Sequence, residues 1–268
     1  MPLAILPMYD LESLRPSTDA LWSAIAANLR AAGIEAPSSL ARAVALEDAW
    51  ADPALLLGQT CGYPLVTSLR GRVTLLATPR YRAPGCEGAA YRSAVVVRAH
   101  DPAHSLADLR GARCAVNGLD SNSGMNVLRA AIAPLVSAGD RFFADVVVTG
   151  AHAASLAALA GGRADVAAID CVTWAHLQRL RPGLTAGLRV LAWSVAMPGL
   201  PLITSLRSGE AVTTALRAAL WAVAADPALA PVREALLLEG FDEVPLQAYD
   251  AILALQAEAV ALGYPALR

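Results

Sequence analysis

The sequence predicts an α/β protein of two lobes, and three features lead there. Apolar runs of strand length alternate with segments of helical spacing along most of the chain, the pattern of parallel sheets covered by helices. Three short polar loops, Asn117 to Ser123, Gly150 to Ala153 and Asp170 to Thr173, each follow a strand end in the middle of the chain. In open parallel sheets, ligands sit outside the carboxyl ends of the strands. Tyr9 and Thr60 hold the same kind of position in the first block, so two sheets are expected to face each other across a cleft. Lobe one is then expected over 1–90 and lobe two over 91–195, with 196–268 returning to lobe one and adding C-terminal helices.

In chain order, Leu3 to Met8 reads as a short apolar strand, and Leu21 to Ala32 as a helix closed by Gly33. A strand over Ala41 to Leu46, a helical turn from Glu47 to Trp50 and a strand over Leu55 to Thr60 follow. The loop Gln59 to Pro64 comes after that strand. Val73 to Pro79 and Tyr91 to Arg98 are extended runs, with a turn at Pro84-Gly85 between them. Phe142 to Thr149 reads as a strand, and Ala151 to Ala160 as a helix closed by Gly161-Gly162. Asp165 to Ile169 is a strand ending at Asp170, Val172 to Leu180 is a helix stopped by Pro182, and Arg189 to Val195 is extended. Leu202 to Ser205 reads as a last strand before helices over Ala211 to Ala225, Pro231 to Leu238 and Leu246 to Leu262.

Composition removes several function classes. The 56% apolar content and mean hydropathy of +0.47 suggest a membrane protein at first sight. Much of the excess is Ala, however, and no window offers the roughly 18 uninterrupted apolar residues of a membrane span. A net charge of −2 with scattered basic residues speaks against a nucleic-acid partner. All 21 basic residues are Arg. Without a Lys amine there is no Schiff-base chemistry, no pyridoxal-phosphate enzyme and no Walker-type phosphate loop. The four cysteines form no C-x-x-C pair, so no zinc site is expected. Cys61 and Cys86 lie in loop-like contexts and are the candidates for a bridge in an oxidising compartment. Cys114 and Cys171 read as buried thiols. The start of the chain already reads as a strand and shows no export signal.

The most informative stretch is Arg113 to Ile132, RCAVNGLDSNSGMNVLRAAI. Arg113 to Val116 is β-like and ends at Asn117, Gly118 to Ser123 supplies turn and cap residues, and Gly124 to Ile132 has helical spacing up to Pro134. The first amides of a helix lack intrahelical acceptors and lie at the positive end of its dipole, so an oxyanion finds donors there. Ser121 and Ser123 add hydroxyls, and Gly124 permits close backbone approach. The alternative is that the Ser and Asn side chains only cap the helix. His152 opens a further helix, near a second set of unpaired amides. Asp170 ends an apolar strand, where a carboxylate needs a partner: a ligand group, Arg163 or a backbone amide. His100, His104 and His176 have no partner pattern and read as surface. Ser123, His152 and Asp170 are the residue types of a hydrolase triad, but the serine lacks the G-x-S-x-G elbow.

On these residues the chain resembles the phosphate/phosphonate-type substrate-binding proteins of ABC transporters, a branch of the type II periplasmic binding proteins. The resemblance spans Leu3 to Gly209. It rests on the strand end at Tyr9, LLLGQTCGYP ending at Pro64, YRSAVVVR from Tyr91, LADLRGARCAVNGLDSNSG from Leu106 and TGAHAASLAALAGGRADVAAID from Thr149. It implies a two-lobed fold that closes noncovalently on a small oxyanion held by a Ser-rich helix start. The ligand residues it implies are Tyr9, Tyr91, Ser121, Asn122, Ser123, His152 and Asp170; Thr60, Asn117 and Gly124, read from their strand-end and loop positions, are expected beside them, with no catalytic residue, no metal and no cofactor. The implied partners are the oxyanion ligand and an ABC permease, with neither nucleic acid nor membrane insertion. The resemblance places the protein in the periplasm, while the missing export signal leaves the cytoplasm open. A leaderless enzyme or a sensor on the same fold is the alternative.

Overall fold

The computed structural model describes residues 1–268. The chain forms two compact units, the first from 1–82, 87–89 and 198–248, the second from 83–86, 90–197 and 249–268. Each unit contains a five-stranded sheet. The strands of these sheets, in chain order, are β1 (Leu3–Ile5), β2 (Leu55–Gln59), β3 (Val73–Tyr81), β4 (Ser93–Arg98), β5 (Arg113–Val116), β6 (Asp145–Val148), β7 (Val166–Asp170), β8 (Leu188–Trp193), β9 (Leu202–Ser205) and β10 (Leu238–Asp242).

The first sheet has the order β1-β2-β9-β3-β10. β1 and β2 are parallel, whereas β9 runs antiparallel to both β2 and β3, and β10 antiparallel to β3. Helices Arg15–Ala31 and Glu210–Ala225 pack on each other. They bury Trp22, Ile25 and Leu29 on one, and Leu216, Leu220 and Val223 on the other, the apolar stripe at helical spacing that a core-facing helix needs.

The second sheet has the order β8-β4-β7-β5-β6. β5 is parallel to β6 and β7, while β4 is antiparallel to both β7 and β8. The expectation of parallel sheets is therefore corrected to mixed ones. The reversed strands include those with which the chain enters a unit, β4 in the second and β9 on its return to the first.

Other expectations also change. Residues 41–46 form no strand. Ala41 N–H donates to the Ala4 carbonyl, and Arg42 turns outward to Asp10 and Asp19. The helix expected over Pro231 to Leu238 ends early, spanning Ala230–Ala235, and β10 begins at Leu238 after Leu237 takes a φ of +54°. The stretch LEGFD has no alternation of its own; its strand conformation comes from pairing with β3. His176 is 1% exposed, not a surface residue.

The C-terminal helix Asp250–Ala261 belongs to the second unit, a departure from the expected return of 196–268 to lobe one. Ala259 and Tyr264 join the core cluster of Val116, Met125, Leu128, Ile132, Phe142 and Phe143. Asn126 Nδ2 donates to the Ile252 carbonyl at 3.1 Å, and Arg129 to that of Pro265 at 2.9 Å. No single helix is long and apolar enough to cross a membrane.

One carboxylate clamps the starts of β5 and β7 to the end of β4. Asp165 accepts from Arg98 at 2.6 Å, from the Arg113 guanidinium at 2.9 Å on both oxygens, and from the Arg113 amide at 2.9 Å. These bonds hold its carboxyl well below the usual carboxylate range, the Arg113 guanidinium contributing most. A group depressed in this way stabilises the fold above its unfolded value, and that stability is lost as pH falls below about 4 towards the folded value. Asp165→Asn is expected to lower the unfolding free energy at neutral pH by about 1–3 kcal/mol. Urea titrations of variant and parent should converge in acid; a gap that persists unchanged at low pH would show that ionisation of Asp165 is not its source.

Candidate functional site

The loops at the carboxyl ends of β5 and β7 bring most of the singled-out residues of the second unit together. Val116 ends β5, and Asn122–Asn126 form a wide helical turn, with the Asn126 amide reaching back five residues to the Ser121 carbonyl. The regular helix follows over Val127–Ile132. Helical geometry thus starts two residues earlier than the spacing suggested, and such wide turns recur at functional sites. Ser121 caps the turn, its Oγ accepting from Gly124 N–H at 3.0 Å. This is the capping role weighed as the alternative, yet Ser121 Oγ also stands 3.5 Å from Ser123 Oγ.

Ser123 Oγ lies 2.9 Å from His152 Nε2. His152 opens the helix His152–Ala160, whose preceding turn is tied down by Thr149, with Oγ1 2.7 Å from Ser155 Oγ and donating to the Val116 carbonyl at 3.1 Å. The imidazole is half-buried by surface area but packed in protein atoms, and burial pushes its pKa down to about 4, with the Ala168 backbone pulling the other way. His152 is therefore neutral near pH 7, and Ser123 and His152 form an uncharged pair of hydrogen-bonding groups.

Gly124 is required by the tightness of this corner. A Cβ there would stand 1.7 Å from Asn117 Oδ1 and 3.3 Å from His152 Cε1. Asn117 Oδ1 is buried against this glycine without a hydrogen bond. Any side chain at 124 would push Asn117 aside and crowd the histidine.

Asn122 points inward. Fully buried, it donates from Nδ2 to Tyr91 Oη at 3.1 Å and accepts from Asn126 Nδ2 at 3.0 Å. Asn126 Oδ1 in turn accepts from Arg129, which is 4% exposed. Each donor in this chain points the same way, from the Arg129 cation through two amides to the Tyr91 phenol oxygen. Asn126 and Arg129 were not among the residues singled out from the sequence. The signal was present, since Asn122, Asn126 and Arg129 fall at i, i+4 and i+7, a polar stripe on one helix face.

Asp170 ends β7, and its Oδ1 accepts from the amides of Val172 at 2.8 Å and Thr173 at 2.9 Å, capping helix Cys171–Leu180. The backbone-amide partner is thus realised. His152 Nδ1 makes no hydrogen bond to this carboxylate, so Ser123, His152 and Asp170 do not form a relay in which the acid orients the imidazole. No group of three His, Cys, Asp or Glu side chains is arranged to hold a metal ion.

Tyr9 and Thr60 belong to the first unit. Tyr9 packs edge-on to Tyr81 with ring centroids 5.0 Å apart, and both line a small apolar pocket of about 50 Å³ with Gln59, Pro79, Leu202 and Phe241. Thr60 is fully buried at the end of β2, its amide donating to the Pro201 carbonyl at 3.1 Å and its hydroxyl to that of Cys61 at 3.3 Å.

Known proteins share this architecture. No protein of curated function matches the chain by sequence. Among solved structures, PhnD1 from Prochlorococcus marinus in complex with methylphosphonate superposes with a TM-score of 0.75 at 14% identity, covering 96% of this chain and 97% of that one. The binding-protein component of an ABC phosphonate transporter from Pseudomonas aeruginosa gives 0.71 at 15% identity, covering 97% and 96%. XAC2383 from Xanthomonas citri bound to ATP gives 0.71 at 19%, covering 97% of each chain. At these identities the likeness speaks for a shared two-lobed fold. The family itself is shown by the sequence profile described as ABC transporter, phosphonate, periplasmic substrate-binding protein, which matches residues 4–249. The chain belongs to the phosphonate-binding substrate-binding proteins of ABC transporters.

Proposed function

We propose that the turn Ser121–Gly124 is the anion grip of this solute-binding protein, holding a small phosphonate- or phosphate-like ligand noncovalently for delivery to an ABC permease. The observation that carries the assignment is the Ser121, Ser123 and His152 cluster, two hydroxyls and a neutral imidazole converging at the start of a helical turn. Neutral donors grip an oxyanion without a formal ion pair, and release then costs no separation of opposite charges. Asn117 and Gly124 complete the wall of that corner. Tyr91 and Asn122 support it from beneath, and Asp170 sets the neighbouring helix. Tyr9 and Thr60 are proposed as ligand contacts contributed by the first unit. The family is normally periplasmic, and the periplasm is the compartment proposed here.

Binding without chemistry is the reading the geometry favours. An acyl- or phosphoryl-transfer nucleophile at Ser123 would need a base oriented by an acidic third group, and no carboxylate hydrogen-bonds His152 Nδ1. The protein is therefore expected to return its ligand unchanged. Phosphorus NMR of methylphosphonate incubated with the protein should show a single unaltered resonance; a new product would establish an enzyme.

Ser123→Ala is expected to weaken the binding of methylphosphonate or phosphate by about 1–3 kcal/mol, the cost of withdrawing a hydrogen bond from a charged partner. Calorimetry with both ligands measures it, and unchanged affinity would remove the turn from the site. His152 is expected to titrate near pH 4, so the unliganded protein should show its imidazole resonances flat between pH 5 and 8. A midpoint near the ordinary value of about 6.5 would mean that the grip carries a positive charge under mildly acidic conditions.

A further inference from the structure

We propose that Cys86 and Cys171 form a dithiol site that closes into an intramolecular disulfide on contact with a disulfide donor. The sulfurs stand 3.4 Å apart, and both residues belong to the second unit. The sequence had suggested Cys61 as the partner of Cys86; the structure places Cys171 there instead.

The pairing is set by backbone, not by a chance meeting of side chains. The Cys86 amide closes a turn onto the Ala83 carbonyl at 2.9 Å, and the Cys171 amide donates to the Arg92 carbonyl at 3.2 Å. Between them Gly85 takes a φ of +100°, and a Cβ on it would stand 3.0 Å from Cys171 Cβ and 2.8 Å from the Trp193 ring. The absence of a side chain at 85 lets this segment lie directly on Cys171. Cys171 is fixed from the other side as the first residue after the Asp170 cap. Closure from 3.4 Å to the bonded distance of about 2.0 Å is a short approach of two side chains. Cys114 sits in the core of the unit with its thiol pushed up to about 12 by burial, and has no such neighbour.

Exposure orders the steps. Cys86 is partly exposed and Cys171 buried. The Cys171 thiol is held well above its ordinary pKa, first by its hydrogen bond with Cys86 and then by burial. Cys86, as thiolate, attacks one sulfur of a small disulfide and releases the first thiolate. Cys171 then loses its proton and attacks the Cys86 sulfur, forming the Cys86–Cys171 bond and releasing the second. The protein loses two protons and two electrons, and the donor disulfide gains them as two thiols. The cross-link spans 85 residues of sequence, a long loop whose closure restricts the unfolded chain strongly. It joins the segment where the chain first passes into the second unit to the start of the helix capped by Asp170.

The test uses the full chain, reduced and then exposed to oxidised glutathione, without added ligand. The expected result is loss of two of the four alkylatable thiols, a peptide map linking 86 to 171, and a rise in Tm of roughly 5 °C or more. Cys61→Ser and Cys114→Ser should leave this response intact, and Cys86→Ser and Cys171→Ser should each abolish it. A stable glutathione adduct on Cys86 with Cys171 still alkylatable after unfolding would overturn the proposal, as would a link between any other pair.

Discussion

Arg129 brings a positive charge into the interior of the second unit, where its guanidinium meets an amide oxygen and a carbonyl but no carboxylate. Burying a cation costs several kcal/mol unless its donors are satisfied. The partners of Nη1 and Nη2 are therefore tightly determined, while Nε is buried without a hydrogen bond. Asn126 must present its oxygen to the arginine, which leaves its nitrogen for Asn122 and the Ile252 carbonyl; Asn122 is then committed to Tyr91. One unpaired charge thereby orients the turn above it and draws the last segment of the chain into the same unit. In a low-dielectric interior such a chain of aligned donors polarises each member further, and the far end lies directly beneath the Ser-rich turn.

In the second sheet the clamp that stabilises the fold lies at the end opposite to the proposed anion grip. At one end Asp165 gathers Arg98 and Arg113 and locks three neighbouring strands in register. At the other, the loops after β5 and β7 carry Ser121, Ser123 and Asp170. The paired charges are concentrated where the fold is clamped, while hydroxyls, amides and a neutral imidazole line the corner proposed for the ligand and the Asp170 carboxylate at that edge is turned to the amides of Val172 and Thr173. A grip of this kind can admit a dianion without the competing internal salt bridges that charged side chains would form in its absence.

Much of this was legible in the residues themselves because it is local. The strand, polar loop and helix order from Arg113 shows in periodicity and cap residues, and the structure keeps it with a shift of two residues at the helix start. Ser121, Ser123, Gly124 and His152 come together because each follows a strand end, which the alternation of elements already places on one edge. What escaped depends on distant pairing. β10 is a strand only because β3 lies beside it, and LEGFD carries no signal of its own. Cys86 reads as a loop cysteine until Cys171 is beside it. Asn126 and Arg129 read as ordinary helix polar residues until the C-terminal segment covers them.

The way the two units share the chain constrains the order in which the protein can be made. The first unit is incomplete until 198–248 has been added, and the second until 249–268 has followed. During synthesis, therefore, neither unit can close on its opening stretch alone: β9 is missing from between β2 and β3 until 202–205 has been made, and the Ile252 and Pro265 carbonyls that meet Asn126 and Arg129 come later still. Larger proteins commonly fold one domain after another as the chain emerges, but here most of the second unit is made before the first is complete. Residues 90–197 must wait while 198–248 completes the first unit, so each core is finished by a segment made well after its opening strands.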